Sequence, residues 1–126
     1  MRTAIALFAC AILSACQTTA PDVPQTRSPV ATMEAVARQA QACWFKAGDK
    51  AFRPYRLQAE LNSMSGRPRI LVVPRGDQAA LPVLVAQAEA DGAATRFQSF
   101  GPLLGKPGGE RISAQLAAWS NGSRTC

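Results

Sequence analysis

The chain has 126 residues, with 14 Lys+Arg against 8 Asp+Glu and no histidine. That length suits one small domain. The absent histidine rules out Ser-His and Cys-His catalytic devices and any His-ligated metal, and a net charge of +6 is too modest to mark a nucleic-acid binder, so nucleic acid is not an expected partner.

Arg2 precedes an apolar run from Ala4 to Ile12, and Leu13-Ser14-Ala15-Cys16 follows. The uncharged stretch from Thr3 to Leu13 is far shorter than the about 20 apolar residues that cross a bilayer. With a basic residue before it and small residues after it, it reads as a targeting segment to be removed. Leu13, Ser14, Ala15 and Cys16 match the lipobox, and over residues 1–16 the chain resembles a bacterial lipoprotein. The resemblance implies that residues 1–15 are a signal peptide and that Cys16 becomes the first residue of the mature chain. Its sulfur would carry a diacylglycerol, and its amino group an acyl chain such as palmitate. Buried acyl chains contribute about 0.8 kcal/mol per CH₂, and two or more hold a protein stably on a membrane. In this class Asp after the lipidated Cys favours the inner membrane; Gln17 stands there instead, which implies the periplasmic face of the outer membrane. The remainder of the chain resembles no characterised family.

Cysteine usage supports the same compartment. Cys10 leaves with the signal peptide and Cys16 takes lipid, so Cys43 and Cys126 remain as one pair in an oxidising environment. A Cys43–Cys126 disulfide is expected, against two free thiols or an intermolecular bond through Cys126. The last residue after a Ser-Arg-Thr tail has little packing reason to be cysteine.

Residues 17–31 contain Pro21, Pro24 and Pro29 among Thr, Gln, Ser and Asp, so residues 16–31 read as the lipidated cysteine and a flexible linker. The domain is then 32–126. Thr32 can cap a helix over about Met33 to Lys46, with Met33, Val36, Ala40, Cys43 and Trp44 on one face and Gly48 after it. Beyond Arg53-Pro54 the period becomes two: Tyr55, Leu57, Ala59 and Leu61 alternate with Arg56, Gln58, Glu60 and Asn62, giving a half-buried strand. Arg69–Val73 reads as a central strand, Leu81–Glu89 as a third with Pro82 near its start, and Ala94–Phe100 as a fourth after the Asp91-Gly92 hairpin signal. Gly101–Gly109, rich in Gly and Pro, reads as a loop, and Glu110–Ser120 as a helix with Ile112, Leu116 and Trp119 on its apolar stripe. The fold class is α+β: helix, four-stranded antiparallel meander, helix, with both helices on one sheet face and Trp44 and Trp119 anchoring that layer.

No residue set supports an enzyme or a resident cofactor. The carboxylates are scattered, Gly105–Gly109 only weakly suggests an anion site, and Arg75-Gly76-Asp77 reads as a turn. Lys46, Lys50, Arg53, Arg56, Arg67, Arg69 and Arg75 make residues 46–75 the most basic region. They are candidate contacts for an anionic partner, or simply a solvated face. The expected function is a membrane-anchored, non-catalytic binding or structural module. Its partners would be the membrane through lipid on Cys16 and an envelope protein, the cell wall or an anionic glycolipid. The helix–sheet–helix order is loosely similar to the C-terminal domains of TonB and TolA, at the level of fold alone. The alternative is a periplasmic inhibitor of a hydrolase of the lysozyme- or protease-inhibitor type, with residues 101–109 as the inserted loop.

Overall fold

The computed structural model describes residues 27–126; the expected signal peptide, Cys16 and the expected linker up to residue 26 lie outside them. Ser28 starts the first helix: its side chain accepts a hydrogen bond from the Ala31 amide, and Pro29 stands in the first turn. Proline suits that place because its missing N–H would be unpaired there anyway. Helix α1 therefore spans Pro29–Ala40, and Thr32, the expected cap, is instead buried inside it with its amide on the Ser28 carbonyl. From Gln41 to Lys46 the helix continues in wider π turns, where the Ala47 amide reaches the Ala42 carbonyl and that of Asp49 the Trp44 carbonyl. Within these turns two adjacent residues, Cys43 and Trp44, are both buried.

Four strands follow: β1 (Tyr55–Glu60), β2 (Arg69–Pro74), β3 (Leu84–Asp91) and β4 (Ala94–Phe100). They form one antiparallel sheet in sequence order, β1-β2-β3-β4. The third strand starts three residues later than its apolar run. Leu81 is 84% exposed, Pro82 has no N–H to give a ladder, and Val83 makes the first bond, from its amide to the Val72 carbonyl. Asp91 pairs with Ala94, so the hairpin turn is Gly92-Ala93. Gly92 has φ 60°, the first-position glycine of a type II′ turn.

Register assigns the two faces. Leu57 opposes Val72 and Ala59 opposes Ile70. Ile70, Val72, Leu84, Ala86 and Ala88 are fully buried beneath the helices, with Phe97 packed against them. Helix α1 lies over β2 and β3, and helix α2 (Gly109–Ser120) lies beside it over β4. Both helices thus cover one face, closed by Met33, Val36 and Ala40 from α1 and Ile112, Leu116 and Trp119 from α2. Phe52, in a short 3₁₀ turn, stacks on Trp44 with centroids 4.3 Å apart and planes 8° apart. Trp44 also meets Trp119 at 5.1 Å. Each such aromatic pair adds roughly 0.5–1.5 kcal/mol beyond its buried area. The opposite sheet face carries Arg56, Gln58, Glu60, Leu71, Val73, Val85 and Phe100.

The 101–109 segment is docked rather than free. Pro102–Gly105 forms a 3₁₀ turn, Leu103 is buried in the core, and its amide bonds the Val83 carbonyl. Gly101 has φ 136°, and a Cβ there would strike the Val83 carbonyl. Helix α2 closes with the Gly122 amide on the Trp119 carbonyl and the Ser123 amide on the Ala118 carbonyl, the Schellman arrangement.

Candidate functional site

Cys43 and Cys126 are joined by a disulfide, with Cα atoms 5.4 Å apart and a sequence separation of 83. The tail that carries Cys126 runs back along the helix pair. The Trp119 indole N–H donates to the Thr125 carbonyl at 2.8 Å. The Gln115 amide donates to the Cys126 carbonyl at 2.8 Å, while its Oε1 accepts from the Trp44 Nε1. Arg111 also donates to Gln115 Oε1 and pairs with Asp49 at 2.9 Å. Cys16, the expected lipidation site, lies outside the described residues.

The basic region at 46–75 does not come together as one patch. Arg69 pairs with Glu60 at 2.6 Å and Arg67 with Glu89 at 2.8 Å. Arg56 shares the open sheet face with Arg69 but opposes Val73, four residues along β1 from the Glu60–Arg69 pair, or about 13 Å at ordinary strand rise. Its Nη1 donates to Gln58. Lys46 lines a groove between α1 and β1 with Leu57, Ala59 and Leu61. Lys50 and Arg53 are exposed around the 3₁₀ turn near Phe52. Arg75 sits in the turn after β2, its amide on the Pro54 carbonyl.

A different set of cations does converge. Arg27, Arg38 and Arg124 line one cleft of about 560 Å³ with Glu34, Gln39 and Ser123. Three separate segments supply the arginines. The Arg27 carbonyl accepts from the Thr95 hydroxyl at 2.6 Å, which fixes the chain before α1 against β4. Arg38 stands on the third turn of α1. Arg124 is held by the tail, two residues before the disulfide. The Arg27 guanidinium lies against Gly122, where a Cβ would fall 2.6 Å from its Nη2. Among the described residues the ion pairs engage Arg67, Arg69, Arg96 and Arg111; none engages these three arginines.

Local sequence patterns did not mark this cleft, because its cations are far apart in the chain. One signal was present: if Cys126 reaches Cys43, then Arg124 must lie beside the helix that bears Arg38. No group of three or more His, Cys, Asp or Glu residues placed to hold a metal occurs among the described residues. None of their helices is long and apolar enough to cross a membrane. Compared with protein-family models, curated proteins and solved structures, the chain finds no match.

Proposed function

We propose that this chain is a lipid-anchored protein of the bacterial envelope, tethered through Cys16 at the periplasmic face of the outer membrane. Its domain is a non-catalytic binding or structural module, partnered by an envelope protein, the cell wall or an anionic glycolipid. The observation that carries this reading is the Cys43–Cys126 disulfide. It consumes the two cysteines left once Cys10 and Cys16 are assigned to the signal peptide and the lipid, and a stable disulfide belongs outside the reducing cytosol. The lipobox residues Leu13-Ser14-Ala15-Cys16 supply the anchor. The docked Gly101–Gly109 segment leaves Pro102 and the tip Gly105–Gly108 exposed but buries Leu103 and Gly109, which gives little support to an inserting inhibitory loop.

The test is expression in a Gram-negative host, with mass spectrometry of the amino-terminal peptide and separation of inner and outer membranes. The expected result is a chain beginning at acylated Cys16 in the outer membrane, and loss of both acylation and membrane association in Cys16→Ser. A Cys16→Ser protein that is still cut at the same bond and still sediments with membranes overturns the anchor.

A further inference from the structure

We infer that the cleft formed by Arg27, Arg38 and Arg124 is a phosphate site, and that the phosphate it takes is that of an anionic lipid headgroup. This assignment of source rests on the tethered reading above; the phosphate chemistry rests on the cleft alone. Guanidinium groups offer paired N–H donors in a plane that matches the oxygens of a phosphate, and they stay charged at any pH the envelope meets. Three of them face one concavity here against a single carboxylate, Glu34. None is neutralised by an ion pair among the described residues, whereas Arg67 and Arg69 of the basic region each are. Gln39 and Ser123 add neutral groups able to hydrogen-bond remaining oxygens. The backbone frame is fixed from three sides: the Thr95 hydrogen bond, the helix, and the disulfide behind Arg124.

Position selects the lipid. Arg27 is eleven residues after Cys16, and a fully extended chain gains at most about 3.6 Å per residue. The cleft therefore lies within about 40 Å of the anchoring sulfur whatever path the chain takes. An anionic surface attracts basic side chains only within about a Debye length, near 8 Å at physiological salt. Of the basic groups placed here, Arg27 is the nearest in sequence to the anchor, and it is part of the cleft. A module held by its tether thus presents three guanidiniums, unpaired among the described residues, on the side where the tether enters.

The experiment uses the full chain carrying Cys16→Ser, so that no acyl chain contributes, and reads co-sedimentation with phosphatidylglycerol vesicles at low ionic strength. Phosphatidylcholine vesicles set the background. The triple variant Arg27→Gln, Arg38→Gln, Arg124→Gln is expected to bind about a hundred-fold more weakly, the joint effect of three basic side chains at an anionic surface. A variant lacking the same charge elsewhere, Lys46→Gln, Lys50→Gln, Arg53→Gln, is expected to stay within about three-fold of the parent chain. Equal losses in the two variants, or no loss in the first, overturn the site. Inorganic phosphate serves as the second probe, followed by NMR of the arginine side chains. Shifts at the three guanidiniums, with competition against vesicle binding, support the site. Phosphate binding without vesicle binding overturns the lipid as its source. Because the protein under test has no Cys16 thiol, these outcomes are independent of whether lipidation occurs.

Discussion

The indole N–H of Trp44 donates to the side-chain oxygen of Gln115 at 2.8 Å, across 71 positions of sequence. Trp44 lies in the first helical unit and Gln115 in the last, so this bond joins the two ends of the fold over the centre of the core. Gln115→Leu removes the acceptor, and it also removes the donor to the Cys126 carbonyl. A half-buried indole N–H left unpaired costs about 1–3 kcal/mol. Thermal or urea unfolding of the oxidised protein is expected to show a loss of that size.

Reduction or Cys126→Ser frees a loop closed over 83 positions, for which chain entropy gives about 4.5 kcal/mol. The expected outcome is a large drop in unfolding midpoint on adding reductant to the parent chain and none in the variant. The tail bonds from Trp119 and Gln115 would still hold part of the strap, so the measured loss should fall below the chain-entropy figure rather than above it.

Phe52 stands outside every regular element of the sheet and the long helices, yet it is buried and stacked on Trp44. Phe52→Ala should cost about 3–5 kcal/mol, as for any large aromatic truncated in a close-packed core. Leu81→Ala, at a residue 84% exposed, should change stability by less than about 0.5 kcal/mol. Equilibrium denaturation of both variants separates the two sites.

Gly109 opens α2 where a Cβ would run into the Leu104 carbonyl. The backbone must move to admit one, so Gly109→Ala is expected to destabilise by about 1–3 kcal/mol. Gly105→Ala, with open space around it, is expected to be neutral within about 0.5 kcal/mol. Calorimetric melting of the pair is the check.

Much of this architecture is legible in the sequence because its signals are local. Alternation at Tyr55–Leu61, the apolar run Ile70–Val73 and the stripe Ile112, Leu116, Trp119 each name an element and its buried side. Setting Cys10 and Cys16 aside, as the lipobox resemblance implies, leaves Cys43 and Cys126, the pair that forms the disulfide. Other features depended on partners that a local pattern does not reveal. Ser28-Pro29 is a helix start, but among other prolines and polar residues it reads as linker. Phe52 and Leu103 belong to the core because Trp44 and Val83 lie beneath them, and each sits in a short turn without periodicity. In the Gly-rich run 101–109, Gly101 and Gly109 stand where the backbone passes close to Val83 and Leu104, and Gly108 takes a positive φ of 89°. The basic region at 46–75 looked continuous along the chain, yet pairing with Glu60 and Glu89 ties up two of its arginines. The cleft of Arg27, Arg38 and Arg124 is formed by segments far apart in the chain, with Arg124 carried there by the disulfide-bonded tail.

Strand order 1-2-3-4 also governs how the molecule is built. Each strand pairs with the one synthesised just before it, so the ladder can grow by short chain closures of low entropic cost. The link from Cys43 to Cys126 spans nearly the whole described domain and cannot close until Cys126 itself is made. Oxidation therefore acts as a lock turned after the sheet is assembled, and in a chain that fails to meet an oxidant the segment bearing Cys126 is held only by its bonds to Trp119 and Gln115.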